Sequence, residues 1–252
     1  FKTVWDTHFK KNPELVLVIS GSISSWIEKN ILSSSGFVGR ISLDLILRPL
    51  PLADCNLFWR EQKNQISAYE KFKILSVTGG IPRYLEEIIP SVSAEENIRQ
   101  LCFASSGLLY REFGNIFSDL FSQRSTVYQK IVKQLIKGPR TGDEICLGLG
   151  KKRTGVISGY LDDLMEAGFV SRDYSWHIKT GKQSKLSRFR LSDNYSRFFL
   201  KYIEPNKSRI ESGAFRLLPS WESIMGFAFE NLVLSYRPDL WKLFNLDPAE
   251  II

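Results

Sequence analysis

The stretch Gly79-Gly80-Ile81-Pro82-Arg83-Tyr84 decides how the middle of this chain is organised. Paired glycines tolerate positive φ and let another group approach the main chain, and the proline fixes φ and removes a backbone donor. The combination suits a helix that starts at Pro82 and packs against a flat ligand. Turn chemistry alone also permits an ordinary loop before a helix, so the neighbouring sequence has to decide.

Two apolar runs upstream of this turn predict strands. Residues 15–19 (LVLVI) form a continuous β-rich run, residues 41–47 form a second, and residues 24–31 between them favour a helix. Strand, helix and strand make a βαβ unit, in which ligands bind beyond the carboxyl ends of the strands. Ser20 and Ser22 follow the first run at such an end, although Ser22 alone more simply turns the chain or caps the next helix.

Downstream, residues 57–121 carry the apolar spacing of short amphipathic helices, and residues from about 125 to 193 predict a winged helix-turn-helix. Within the second region, Thr141-Gly142-Asp143-Glu144 matches a capping box, and Gly168 is placed to end the third helix. A strand is predicted to begin at Phe169-Val170, with residues 189–191 as its return partner. Asp193 should then cap an aromatic helix over residues 195–202, and residues 221–236 predict a further apolar helix.

The composition narrows the class of protein. The chain has 252 residues, 43% hydrophobic and 24% charged, with a net charge of +7, which is ordinary for a water-soluble protein. Three distant cysteines and two histidines make a zinc site, a disulfide framework or a serine hydrolase improbable, and favour a reducing cytoplasm. No apolar run is long enough for a bilayer, so no membrane role is predicted. Because the chain begins at Phe1 without a methionine, we expect it to be a piece of a longer polypeptide.

The ordered motifs resemble a known family. LVLVISGS (15–22), GFVGR (36–40), GGIPRYLEEI (79–88), the predicted winged helix, LSDNYSRFFLKYIEP (191–205) and GFAFENLV (226–233) together resemble the archaeal-type predicted ATPases. These are P-loop proteins of the AAA+ and signal-transduction ATPase group, and the resemblance extends from about residue 15 onward.

The resemblance implies an α/β plus mainly α fold in four parts. Residues 1–50 would be the end of the ATPase core with its sensor-1 strand, and residues 51–123 the helical lid. Residues 124–193 would be the winged helix, and residues 194–252 a connecting helix and the start of a restriction-endonuclease-like domain.

The same resemblance implies a nucleotide site and a nuclease-like remnant. Ser20 or Ser22 would lie near the γ-phosphate, and Arg40 would face the nucleotide or a domain junction. In the lid motif Gly79-Gly80-Ile81-Pro82, the proline would pack on adenine. Glu230, with Gly226, would begin the nuclease-like domain.

The departures from the family pattern limit what this chain can do alone. No G-x-x-x-x-G-K-[S/T] motif occurs, and the nearest lookalike, Gly148-Leu149-Gly150-Lys151-Lys152, lies between winged-helix helices instead of after a strand. ATP and Mg²⁺ are therefore expected cofactors of the full-length parent only, with the Walker motifs before residue 1. The resemblance implies that the rest of the nuclease-like domain, with the acidic residue and the lysine that would act with Glu230, follows residue 252, so we expect no phosphodiester-cleaving site in this chain. The chain by itself should hydrolyse nothing.

Basic residues concentrate in the predicted hairpin of the winged helix. Between residues 172 and 190 the only acidic residue is Asp173, against six lysines and arginines. Cations beside a helix N-terminus favour phosphate contact, which predicts DNA binding. The alternative is a solvated hairpin in a protein-interaction or transcription-regulator module, because Asp162, Asp163 and Glu166 on the third helix would repel phosphate. Self-association also stays open. The predicted DNA-contacting residues are Lys151, Lys152, Arg153, Lys179, Lys182, Lys185 and Arg188.

Overall fold

The structure, a computed structural model, describes residues 2–21, 35–152, 154–177, 179–215 and 220–247. The helix predicted over residues 24–31 lies outside these residues, as do Ser22 and Arg153. The α-helices that it describes are α1 Lys2–Thr7, α2 Leu52–Cys55, α3 Ala68–Thr78, α4 Pro82–Leu85, α5 Ala94–Cys102, α6 Leu108–Phe121, α7 Ser125–Gln134, α8 Gly142–Gly148, α9 Gly155–Glu166, α10 Asn194–Phe198, α11 Lys207–Glu211, α12 Trp221–Ser235 and α13 Arg237–Leu243. Strands β1 Val170–His177 and β2 Lys182–Leu191 form an antiparallel pair, and a π-helix, Phe199–Ile203, continues α10.

The helices of the predicted lid begin where polar side chains cap them. Ser67 accepts a hydrogen bond from the backbone N–H of Glu70 and so starts α3, and Ser93 does the same for Glu96 at α5. Gly79 ends α3 at φ +58° and ψ −158°, a region of the backbone map that is essentially reserved for glycine. Pro82 then occupies the first turn of α4, where its missing N–H costs nothing.

Helices α7, α8 and α9 and the β1–β2 hairpin follow the order predicted for residues 124–193. The capping box is confirmed: the Thr141 hydroxyl accepts from Glu144 N (3.2 Å), and the Glu144 carboxylate accepts from Thr141 N (2.7 Å). Gly168, at φ +80°, ends α9, and Phe169 N donates to Leu164 O in the pattern of a Schellman cap. Assignment to the winged-helix fold stays a prediction.

The hairpin register agrees with the predicted strand partners. Val170 lies opposite Leu191, and Arg172 lies opposite Phe189. Gly181, at φ +62°, forms the tip, where its N–H donates to His177 O. Arg140 adds an isolated bridge to Phe189, so the segment before α8 runs beside β2.

One apolar core runs through the helices and the hairpin, from Cys55 to Ile224. Aromatic side chains make contacts between distant parts of the sequence: the rings of Phe113 and Phe199 stack at 4.4 Å between centroids. The Tyr195 hydroxyl donates to Leu109 O at 2.7 Å. Asp193 accepts from Ser196 N at 2.6 Å, which confirms the predicted cap at the start of α10.

The two strands predicted near the N-terminus are not strands in this structure. Residues 15–20 and 43–50 have no assigned secondary structure, and no residue among 2–21 and 35–49 belongs to the core. Val16 and Val18 are 82% and 80% exposed, so the run is not buried as a parallel sheet requires. The physical reason is the lack of neighbours, because a central strand needs another strand on each side and the described residues supply neither.

Candidate functional site

The GGIP turn brings two parts of the backbone together. Leu50 N donates to Gly80 O at 2.7 Å, and a Cβ at position 80 would lie 2.3 Å from Leu50 O and 2.8 Å from Leu50 N. Only glycine permits this approach. The close contact that the sequence predicted for a ligand is therefore made at Gly80 by the chain itself. Pro82, on the next turn, is exposed, and nothing lies within 4 Å of the Cβ position of Gly79.

The other predicted nucleotide-binding residues lie apart from this turn. Ser20 is exposed at the end of the first apolar segment. Arg40 makes a bidentate contact with Asp6, at 2.9 Å from Nε and 2.7 Å from Nη2, and this hydrogen bonding raises the pKa of Arg40. Neither of the two cavities described below is lined by Ser20, Arg40 or the GGIP turn. The structure does not assemble these residues into one site.

The predicted DNA-contacting cations are exposed on the hairpin and before α9. Asp173, the acidic residue of the hairpin, pairs with Arg190 at 3.0 Å, so its charge is already compensated. Arg190 is buried and is thus a structural cation. The exposed members of the predicted set are Lys151, Lys152, Lys179, Lys182, Lys185 and Arg188.

The acidic residues of α9 divide into two kinds. Tyr128 donates its hydroxyl hydrogen to Asp163, so that carboxylate is turned toward α7, and burial together with this bond raises the pKa of Tyr128. Asp162 is exposed and lines a cavity of about 40 Å³ between α8, α9 and the hairpin. Two apolar side chains near the same helices are also exposed: Leu147 by 80% and Val156 by 60%.

Asn231, which the sequence did not single out, takes part in hydrogen bonds that link the hairpin to α3. Arg190 donates to its Oδ1, and its Nδ2 donates to Ser192 O and Asn194 Oδ1, both at 2.9 Å. Asn194 in turn donates to Leu75 O on α3 at 3.2 Å. The sequence signal for this network was an amide in the middle of an otherwise apolar helix. Such a group is buried only when its hydrogen bonds are satisfied, so it marks a place where polar partners meet.

Glu230, next to Asn231, is exposed. Within the parts of the chain that the structure describes, no group of three or more His, Cys, Asp or Glu side chains is placed to hold a metal ion. The three cysteines, Cys55, Cys102 and Cys146, are free and buried, and burial raises the pKa of Cys102. Glu230 therefore belongs to no such group in the described part of the chain.

A second cavity, of about 10 Å³, lies between α3, α10, the π-helix and α12. Arg197 and Lys201 line it, and the Phe227 ring lies 4.2 Å from the Arg197 Cζ and 5.2 Å from the Lys201 Nζ. Arg197 is 7% exposed and donates to Ile136 O at 3.2 Å and to Leu191 O at 2.9 Å. Its Nε has no hydrogen-bond partner.

Comparison with known proteins gives one relative. The chain is 28% identical over 251 residues to an uncharacterized protein of Methanocaldococcus jannaschii. The match covers 98% of this chain and 54% of that protein, so the chain spans about half the length of the relative. No family model matches the chain, and no solved structure matches it significantly. Among the described residues, no helix is long and apolar enough to cross a membrane.

Proposed function

We propose that this chain is the lid, winged-helix and connecting part of a longer P-loop ATPase of the AAA+ type, and that its hairpin contacts DNA. The observation that carries the ATPase half is the pair of exposed apolar segments, residues 15–19 and 41–47. In the first, exposure alternates with a period of two: Val16 and Val18 are 82% and 80% exposed, whereas Leu17 between them is 44% exposed. This is the pattern of an extended chain with an uncovered face.

The second segment has the same character. Leu43, Leu45 and Leu47 are 77%, 68% and 81% exposed. Burying such a side chain is worth about 1.5–3 kcal/mol, so leaving all of these apolar groups in water is unfavourable. Unpaired extended backbone also offers free N–H and C=O groups to a neighbouring strand. Strands of a P-loop core, contributed by the rest of the longer polypeptide, would satisfy both requirements.

The contact between Leu50 and Gly80 connects this core to the lid. It fixes the end of the second segment against the turn that carries Pro82, and Pro82 itself is exposed and free to pack on a base. A movement of the proposed P-loop sheet on nucleotide binding would therefore reach the start of α4 through this contact. In the full-length protein ATP and Mg²⁺ are the expected ligands, and residues outside this chain would hold the metal and the phosphates.

The ATPase half is tested on the full-length protein by titrating a fluorescent ATP analogue in the presence of Mg²⁺. We expect saturable binding that Pro82→Ala weakens several-fold, because the ring contact with adenine is lost. Pro139→Ala is the matched control, since Pro139 is also exposed but precedes α8. Absence of ATP binding by the full-length protein would refute the assignment.

The DNA half rests on the exposed lysines of the hairpin. Fluorescence anisotropy with a labelled duplex, measured over a range of salt concentrations, should give a steep salt dependence. Replacing Lys179, Lys182 and Lys185 with alanine should reduce the slope of log K against log salt by about 0.9 for each phosphate contact removed. A matched control with the same charge change replaces Lys10, Lys11 and Lys63, which are exposed outside the hairpin. Equal effects of the two triple variants would argue against a hairpin interface.

A protein-interaction module is the second candidate function, favoured by the exposure of Leu147 and Val156. Apolar side chains in this position suit a partner protein better than a phosphate backbone. If this candidate is correct, Leu147→Ser with Val156→Ser should abolish co-purification of a defined partner, and the hairpin lysines should be dispensable. Duplex binding with a normal salt slope in this double variant would favour DNA instead.

A further inference from the structure

We propose that the cavity lined by Arg197 and Lys201 binds an inorganic oxyanion of the phosphate type. This proposal does not depend on ATP or DNA binding. It starts from Arg197, whose guanidinium is charged at any ordinary pH and yet is 7% exposed. Buried charges in proteins are paired, because removing an ion from water without a counter-charge is costly.

No carboxylate is hydrogen-bonded to Arg197 among the described residues. Its partners are two backbone carbonyls, Ile136 O and Leu191 O, which carry only partial negative charge. Desolvation and the neighbouring charge of Arg190 lower the pKa of Arg197, and Glu230 opposes this from an exposed position. The guanidinium therefore has two neutral hydrogen-bond acceptors, a cationic neighbour, a carboxylate that acts on it without a hydrogen bond, and an Nε without a hydrogen-bond partner.

The surroundings of the cavity add positive charge. Lys201 lines the same cavity from the π-helix, and π-helical segments often occur at functional sites. The electron-rich ring of Phe227 lies against both cations. Asn194 also lines the cavity, but its amide is engaged with Leu75 and Asn231. Arg197 and Lys201 are the charged side chains that line this cavity.

The size of the cavity limits which atoms can enter. A free volume of about 10 Å³ holds a single water-sized group, so one oxygen of the anion would reach the interior. The remaining oxygens would face solvent beside the exposed Lys201. A water molecule would satisfy the Nε but would bring no negative charge to the buried guanidinium. A tetrahedral oxyanion supplies both the acceptor and the charge.

Isothermal titration calorimetry of the whole chain with inorganic phosphate, at constant ionic strength, tests the proposal. We expect saturable binding, weakened about tenfold by Lys201→Gln because one charge-assisted hydrogen bond is lost. The matched control is Lys207→Gln. Lys207 is also exposed and lies 5.3 Å from the Phe199 ring, but it does not line the cavity.

The two lysine variants distinguish phosphate binding in the cavity from a general effect of surface charge. Binding that Lys201→Gln weakens and Lys207→Gln leaves unchanged would support the site. No saturable binding to the wild-type chain, or equal weakening by both substitutions, would overturn it. Because both lysines are on the surface, both variants should fold, which circular dichroism checks. A rise in melting temperature with phosphate, at fixed ionic strength, should likewise be smaller in Lys201→Gln than in the wild type and be unchanged in Lys207→Gln.

Discussion

Replacing Gly80 with alanine should separate Leu50, which follows the second apolar segment, from the turn before α4. The added Cβ would lie 2.3 Å from Leu50 O and 2.8 Å from Leu50 N, whereas carbon atoms prefer about 3.5 Å or more from their neighbours. Both obstructing atoms belong to the backbone, so no side-chain rotation can relieve the clash. Leu50 has to move away by about 1 Å, and the 2.7 Å hydrogen bond from its N–H to Gly80 O is then lost.

The expected loss of stability follows from these two effects. A backbone hydrogen bond contributes about 1 kcal/mol, and forcing backbone atoms apart in a packed site costs about 1–3 kcal/mol. Alanine restricts the unfolded chain and returns about 0.4–1 kcal/mol. The free energy of unfolding should therefore fall by about 1–3 kcal/mol if Leu50 shifts by about 1 Å but stays docked. If Leu50 instead detaches, the strain is relieved, but the hydrogen bond and the packing of Leu50 against the core are both lost.

Urea unfolding followed by circular dichroism measures the free energy of unfolding. Amide hydrogen exchange at Leu50 shows whether this residue stays docked or detaches. Gly114→Ala in α6 is the control, since Gly114 is exposed and nothing lies within 4 Å of its Cβ position. It should stabilise the chain by about 0.5–1 kcal/mol, the usual gain in a helix interior. The reasoning is refuted if Gly80→Ala matches the wild type both in its unfolding midpoint and in protection of the Leu50 amide.

Two further predictions concern the polar contacts of the fold. Asn231→Ala removes one hydrogen-bond partner from the buried Arg190 and one from Asn194, so the free energy of unfolding should fall by about 2–3 kcal/mol in urea denaturation. Asn206→Ala, which removes only a bond to Tyr202 O four residues away, should cost clearly less, and equal losses would contradict the network. Hydrogen bonds with the backbone and then with the side chain of Thr141, with smaller help from Arg188 and Arg140, lower the pKa of Glu144. The stability that the ionised Glu144 contributes is therefore fully present above the unfolded pKa of about 4.3, and it is lost as the pH falls through the lower pKa of the folded state. An NMR titration of the Glu144 carboxyl should give a midpoint below the model-peptide value, Thr141→Ala should raise it, and an unchanged midpoint would be inconsistent with the cap.

Local signals in the sequence predicted the local structure well. The capping box at Thr141, the helix end at Gly168 and the cap at Asp193 each depend on residues within a few positions of one another. Their geometry follows from one side chain or one φ angle, so neighbouring residues suffice to identify them. The hairpin register was equally accessible, because strands joined by a short turn can pair in few ways.

The long-range polar contacts could not be predicted in this way. Asn231 bonds to residues about 40 positions away, and Arg197 donates to Ile136, 61 positions upstream. Nothing in the local pattern says which helix faces which, so the sequence directed attention to the acidic Glu230 beside the buried Asn231. An amide within an apolar helix marks a buried partner, but only the packing of α12 identifies that partner.

The surroundings of the apolar segments and of Gly80 could not be predicted from the local sequence either. The sequence predicted a buried sheet from residues 15–19 and 41–47, and it assigned the space at Gly80 to a ligand. Burial of an apolar strand depends on neighbours that the segment does not contain, whereas the space beside a glycine can be filled by any group that approaches it. In this structure the two apolar segments stay exposed, and Leu50 fills the space beside Gly80. If the missing neighbours are strands of a longer polypeptide, Leu50 is the residue through which their pairing would be transmitted to the lid.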